Sequence, residues 1–306
     1  LLAKPEGIIV INDIGIEDYL TCVISSEMSA EAPLEFLKAH AVISRSWLLA
    51  QVSGKKKTRD AGEGKKDTRK ELITWQDHED HEYFNVCADD HCQRYQGITK
   101  VSTDSARAAI EATWGQVLMY GGELCDARFS KSCGGVYEQF ENCWQDDHHP
   151  YLVARRDDDD EMNFPDLTHE DNAADWILSS PHAHCNTTDK EILSQVLNDY
   201  DQETTDFYRW RVEYTQDELS RIIRERTGDD YGRIIDLEPV ARGTSGRLYK
   251  LKIVGEKMTK TIGKELSIRY ALSPSCLYSS AFIVEKINEI PDGFPEKFIL
   301  RGAGWG

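Results

Sequence analysis

The chain has 306 residues, of which 40% are hydrophobic and 29% charged, and a formal net charge of −18. That length and apolar content suit a folded protein with a sizeable core, and no run of about 18 apolar residues marks a membrane span. The acidity argues against nucleic acid as a partner, because a phosphate backbone calls for a basic surface. The chain opens at Leu1 without an initiator Met or a signal peptide, and reads as a processed or trimmed product. Gly7 to Asp13 (GIIVIND) predicts a strand, a β-branched run bounded by turn residues.

Residues 18–47, DYLTCVISSEMSAEAPLEFLKAHAVISRSW, predict two apolar helical segments around a short polar break that holds Glu27. The second opens on Pro33, a favoured first helical residue. Its apolar residues fall on two faces, Leu34, Leu37, Ala41, Leu48 and Val52 on one and Phe36, Ile43, Trp47 and Ala50 on another, as in a helix buried in a core. Lys38 and Arg45 lie seven apart and share a stripe two turns long, about 10 Å. A carboxylate just before a buried helix with a cationic stripe outlines a site for a polar substrate. The same spacing fits a solvated Glu27 and ordinary solubilising charge, so both readings stay open.

Ser53 to Glu71 is a charged stretch with almost no apolar content, and predicts an exposed, mobile loop. Residues 74–97, TWQDHEDHEYFNVCADDHCQRYQG, crowd histidine and cysteine together: His78, His81, Cys87, His91 and Cys92. A mixed imidazole and thiolate set suits zinc. The best four ligands are His81, Cys87, His91 and Cys92, with His78 a competitor for His81. The adjacent His91 and Cys92 meet one ion only if the backbone turns sharply, which Asp89-Asp90 favours. Four protein ligands close the coordination sphere, so the ion would be structural, with Asp90 placed to orient a ligand histidine. A surface histidine cluster beside two unrelated thiols is the alternative.

Ser102 to Thr113 predicts a helix capped by Thr103 or Asp104 and ended by Gly115. Gln116–Tyr120 and Glu123–Phe129 predict a hairpin through Gly121-Gly122. Gly134-Gly135 would let backbone approach a ligand closely, or form a plain turn. Residues 157–205 carry no motif and read as a variable insertion, with one helical pattern at Glu191 to Tyr200. Phe207 to Tyr214 predicts a strand, and Gln216 to Thr227 a helix with Thr215 and Glu218 as a capping box. Ile234–Val240, Arg247–Val254 and Lys257–Ile262 predict a strand meander joined at Gly243–Gly246 and Gly255-Glu256. The 8 cysteines do not form a small stapled framework. Cys22, Cys125, Cys133 and Cys185 read as buried thiols, and pairing among Cys125, Cys133 and Cys143 stays open.

Tyr19-Leu20, Ser26-Glu27-Met28, Pro33-Leu34-Glu35, Leu37-Lys38-Ala39, Ala41-Val42 and Arg45 resemble the SpoIID/LytB family of bacterial cell-wall proteins. The departures are Cys22 for a usual glycine, His40 for glutamine and Trp47 for tyrosine. The segment from His81 to Gly97 resembles the family's H-x-x-F-D-V-C-A-D-D-H-C-Q-R-Y-Q-G run, with Asn85 for aspartate. Residues 109–135 and Glu138, Asn142 and Trp144 continue the likeness, with Cys133 where serine is common. SGRLYKLKIVG, LSIRYAL and SSAFIV resemble further family segments. The end, FILRGAGWG, resembles the start of a glycine-rich signature that breaks off before the family's His and Gln. The resemblance implies an α+β fold with mixed antiparallel sheets, a central buried helix near the N-terminus and a zinc-bearing loop, as a single domain over 1–306. It implies that Glu27 is the catalytic acid, that Lys38, Arg45, Cys133, Gly134, Gly135, Glu138 and Asn142 bind substrate, and that zinc sits on His81, Cys87, His91 and Cys92.

A lytic transglycosylase needs only one carboxyl, first as acid and then as base toward the muramic acid C6 hydroxyl. Burial of Glu27 among Val23, Ile24 and Met28 would raise its pKa, whereas a close cation would lower it, so Lys38 and Arg45 take a positioning role. Three readings follow: a lytic transglycosylase acting on peptidoglycan glycan strands, a non-catalytic wall-binding enhancer of a cell-wall amidase, and a zinc hydrolase with an open metal site. Each places the protein outside the cytoplasm, in the periplasm or cell envelope. A thiol-rich site there would need protection from oxidation.

Overall fold

The apolar spacing around Glu27 resolves into helices that pack on one another. In the computed structural model, which describes residues 1–53, 64–75, 81–89, 91–100, 103–197, 206–289 and 293–306, the fold is α+β. Cα packing divides the chain into two compact units.

The first unit comprises Leu1–Lys56, His78–Arg128 and Asp189–Thr205. Strands β1 (Leu2–Lys4) and β2 (Gly7–Ile9) pair antiparallel, so the predicted strand from Gly7 stops at Ile9. Helix α1 (Ile16–Glu27) contributes Tyr19, Leu20, Val23 and Ile24 to the core, and α2 (Leu34–Ser53) contributes Leu37, Ala41, Trp47 and Leu48. Helix α3 (Asp104–Ala112) adds Ala106, Ala109 and Ile110, of which the two alanines are small enough to admit close approach. Thr103 stands at its N-cap, but its hydroxyl donates to the Ala30 carbonyl at 2.7 Å instead of capping the helix. The hairpin of β5 (Met119–Tyr120) and β6 (Glu123–Leu124) turns on Gly121 and Gly122, whose φ of +60° and +88° require residues without a Cβ. Helix α6 (Lys190–Val196) is capped by the Asp189 carboxylate, and its Val196 carbonyl accepts the Ser29 N–H.

The second unit comprises Lys57–Asp77, Phe129–Thr188 and Asp206–Gly306. Strands β3 (Lys65–Asp67), β4 (Glu71–Thr74), β8 (Ile234–Arg242), β9 (Leu248–Gly255) and β10 (Thr259–Gly263) form a sheet in the order β3-β4-β10-β9-β8. Only the β4–β10 pairing is parallel. The stretch expected to be loop through Glu71 therefore supplies an edge strand. Its Lys65-Lys66-Asp67 is as charged as the edge of a sheet tolerates. Pro239 lies on the other edge, in β8, where its missing N–H breaks no ladder and the register shifts beside it. A second sheet, β11-β12-β7, joins β7 (Arg209–Thr215), β11 (Phe282–Glu289) and β12 (Pro295–Ala303) antiparallel.

Helices α7 (Gln216–Thr227) and α8 (Glu265–Ala271) share one core with both sheets, including Leu219, Ile223, Leu237, Leu251, Ile268, Phe282 and Phe298. The capping box of Thr215 and Glu218 forms as predicted, and Gly228 closes α7 at φ +76°. Two short helices complete the unit, α4 (Phe140–Cys143) and α5 (Glu170–Leu178). The second was not foreseen in the motif-poor stretch. It is held by Ala173 and Trp176, and Trp176 packs with Val136 and Leu167.

His40 on α2 is 6% exposed, and burial lowers its pKa from 6.5 to about 4. Between those values the unfolded chain carries a proton that the folded unit refuses, so folded stability falls as pH drops from 6.5 toward 4. Replacing His40 with Gln, the family's usual residue, should flatten this part of the stability-versus-pH curve by up to roughly 3 kcal/mol. Denaturant midpoints of the two proteins measured at pH 7 and pH 4.5 would test this. A constant difference between them would refute it.

Candidate functional site

Glu27 is the last residue of α1, not part of the break, which spans 28–33. The irregular segment that follows the His/Cys cluster runs past this helix end. The Arg94 backbone N–H donates to Glu27 Oε1 at 2.7 Å, and the Gln96 N–H donates to Ser26 Oγ at 3.1 Å. Ser26 in turn donates to the Cys22 carbonyl at 2.7 Å. Tyr95 stacks on Tyr19 with centroids 5.4 Å apart, and the buried Gln93 amide donates to the Ser44 carbonyl of α2 at 3.3 Å. Glu27 is half-buried. One carboxylate oxygen is thus oriented by a backbone donor that sequence reasoning could not see.

The cluster itself is a tight turn. The Cys92 N–H donates to the Asp89 carbonyl at 3.0 Å, which supplies the sharp bend that adjacent ligands need. His81 Nε2 lies 3.3 Å from Cys92 Sγ, Cys92 Sγ lies 3.5 Å from His91 Nδ1, and Cys87 Sγ lies 3.9 Å from His91 Nδ1. One ligand atom from each of the four residues falls within 4.8 Å of the others, close enough to surround one ion. The Cys87 N–H also points at Cys92 Sγ, at 3.4 Å. Burial pushes the Cys92 thiol up to about 12. Burial likewise raises the Tyr19 phenol above its ordinary range, and the charges of Cys92, Cys87 and Glu27 push the same way. Tyr19 therefore feels both the cluster and the carboxylate. His78 and Asp90 lie outside the described residues.

The two cations of the predicted stripe have other occupations. Arg45 is 1% exposed. Its Nε and Nη2 donate to Glu17 at 2.9 and 2.6 Å, and Nη1 donates to the Gln116 carbonyl at 3.1 Å. This bidentate pair ties α2 to α1 and leaves no donor facing solvent. Arg45→Met should cost about 3–5 kcal/mol, because it strands the Glu17 carboxylate. Chemical denaturation would measure that loss, and an unchanged midpoint would remove the pair from the ledger of stability. Lys38 pairs instead with Glu35, one turn back on α2, at 2.7 Å.

The remaining expected substrate residues lie in the second unit. Glu138 accepts from Asn142 Nδ2 at 2.9 Å, from the Thr244 and Ser245 N–H groups at 3.1 Å, and from Ser245 Oγ at 2.6 Å. It organises the β8–β9 turn, with Asn142 as a supporting donor. Gly134 and Gly135 adopt φ of +74° and +107°. A Cβ on Gly135 would meet Tyr208 Oη at 2.8 Å, and one on Gly134 the Gly304 nitrogen at 2.7 Å, so close packing explains both glycines. Cys133 is buried with its sulfur 3.5 Å from Cys185 Sγ, a neighbour different from the Cys125 and Cys143 considered above. All 8 cysteines are free thiols. Among the described residues, no helix is long and apolar enough to cross a membrane.

Residues 4–120 match the family described as Stage II sporulation protein, SpoIID. Residues 138–306 match a family described as a domain of unknown function, DUF8618. An uncharacterized protein of Brachyspira hyodysenteriae is 29% identical over 137 residues, 45% of this chain and 31% of that protein. The match thus spans about a third of that relative's length.

Proposed function

From a chain that belongs to the DUF8618 family over residues 138–306 and carries a SpoIID-family domain with its cell-wall-related, sporulation-type role over residues 4–120, we propose a peptidoglycan lytic transglycosylase. It would cleave glycan strands between N-acetylmuramic acid and N-acetylglucosamine and leave 1,6-anhydro ends. The observation that carries this reading is the Glu27 carboxylate at the end of α1, oriented by the Arg94 N–H at 2.7 Å.

Protonated Glu27 gives its proton to the glycosidic oxygen as the bond from that oxygen to C1 breaks. The resulting carboxylate then takes the proton of the C6 hydroxyl as that oxygen closes on C1. No water is consumed, and Glu27 ends in its starting state. Arg94 holds one carboxylate oxygen, which limits rotation of the acid about its last torsion. His81, Cys87, His91 and Cys92 would hold a zinc ion that fixes this loop, since four protein ligands leave no open position for chemistry. Such a substrate places the protein outside the cytoplasm.

The test is to incubate the protein with purified glycan strands and weigh the products. Fragments one water lighter than hydrolysis products support the proposal. Strands bound but left intact point instead to a wall-binding enhancer of an amidase, and addition of water points to a hydrolase.

A further inference from the structure

The second unit contains a ligand cluster that the transglycosylase reading does not use. Cys133, Asp157 and Cys185 each offer one atom within 4.8 Å of the others. The two sulfurs are 3.5 Å apart. Two thiolates about 2.3 Å from one tetrahedral zinc stand roughly 3.8 Å apart, whereas a disulfide needs about 2.05 Å. The observed separation lies near the first value.

The surroundings have the features of a built site. Gly135 donates its N–H to Cys133 Sγ at 3.3 Å, which the positive φ of Gly134 and Gly135 makes possible. The Asp157 carboxylate is aimed by two donors, Tyr137 Oη at 2.9 Å on Oδ1 and the Cys185 N–H at 2.9 Å on Oδ2. The Asp157 carbonyl accepts the His184 N–H at 2.9 Å, which fixes the loop carrying Cys185. Among the described residues, no Lys or Arg is ion-paired with Asp157. Arg209 closes the other side, donating to the Gly134 carbonyl at 3.0 Å and the Trp176 carbonyl at 2.9 Å. Two thiolates and a carboxylate carry a charge of about −3, so a divalent cation together with the Arg209 guanidinium brings the site to neutrality.

We propose that Cys133, Asp157 and Cys185 bind a thiophilic divalent cation of the zinc class, with Tyr137 orienting the carboxylate ligand. Binding replaces the two thiol protons: one M²⁺ enters, two S–H bonds become two M–S bonds, and two H⁺ leave to solvent. Three protein ligands leave the fourth position to water or to an incoming donor, which is the arrangement of an open site. This inference does not depend on the transglycosylase reading.

The experiment uses the full chain carrying Cys87→Ser and Cys92→Ser, which disables the other cluster. Cobalt(II) alone is titrated in under reducing conditions. The expected result is one equivalent bound, with an intense thiolate-to-cobalt charge-transfer band. Adding Cys133→Ser and Cys185→Ser should abolish the band and the bound equivalent, and Asp157→Asn should weaken binding at least tenfold. Because serine variants can misfold, the same titration of the wild-type chain should bind two equivalents, both with thiolate bands. A wild-type chain that binds no more thiolate-ligated cobalt than its Cys133→Ser, Cys185→Ser variant, or an undiminished band in the protein that carries all four serines, overturns the proposal. So does thiol counting that finds Cys133 and Cys185 joined as a disulfide in freshly purified, unreduced protein.

Discussion

Glu27→Gln is expected to lower strand cleavage by roughly 10²–10⁴-fold, the usual contribution of one general acid–base group. The substitution keeps the length of the side chain and an oxygen that can accept the Arg94 N–H, so the hydrogen bond at 2.7 Å survives. It removes the ionisable proton and turns the other carboxyl oxygen into an amide donor. Thermal midpoint and metal content should therefore match wild type, which separates lost chemistry from lost folding. Glu27→Asp makes a sharper comparison. It retains the acid but withdraws it by one methylene, away from a donor fixed by the Arg94 backbone, so it should also be impaired. Glu27→Ala leaves that N–H without its acceptor and should cost stability as well. Anhydro ends released by Glu27→Gln at the wild-type rate would falsify the role assigned to this carboxyl.

Local signals in the sequence translated well into structure. The capping box at Thr215 and Glu218 and the Gly121-Gly122 turn rest on contacts within four residues, so both were legible. The α+β fold was expected from the family resemblance, and many of its helices and strands from their local periods. His81, Cys87, His91 and Cys92 were legible as a group because they lie close together in the chain, and the turn at Asp89 brings their ligand atoms within 4.8 Å of one another. What failed was long-range partnership. Spacing put Lys38 and Arg45 on one stripe, but Glu17, 28 residues before Arg45, decides what that guanidinium does. Helix α5 was hidden because it is short, lies in an acidic stretch and buries only Ala173, Trp176 and Ile177 of its own side chains. Cys185 lies 52 residues from Cys133, with Asp157 between, so no local motif announces their meeting. The Arg94 donor to Glu27 is a backbone group, and every residue but proline carries one.

With zinc on the His81–Cys92 cluster as proposed, stripping it by a strong chelator or by Cys92→Ser should reduce both stability and activity. Among the described residues of 81–97 there is no helix or strand, and few side chains are buried: Gln93 is one. The contacts that dock it, Tyr95 on Tyr19, the Gln93 amide on Ser44 and the Arg94 and Gln96 N–H groups on Glu27 and Ser26, all follow the cluster, so the turn itself depends most on its ligands. Structural zinc in comparable small modules supplies apparent binding energies of about 10–16 kcal/mol, and that energy is folding energy when the site is not preformed. Here α1, α2 and α3 have their own core, so global unfolding is not required. The expected outcome is a lowered thermal midpoint and fast amide exchange confined largely to 81–97. Arg94 follows Cys92 by two positions, so loosening the turn also loosens the donor on Glu27, and strand cleavage should fall at least tenfold. Zinc added back after chelation should restore midpoint, exchange protection and cleavage together. If chelation abolishes cleavage yet leaves exchange protection intact, the ion is acting on the substrate rather than on the loop. If neither changes, the cluster does not order the segment that positions the acid.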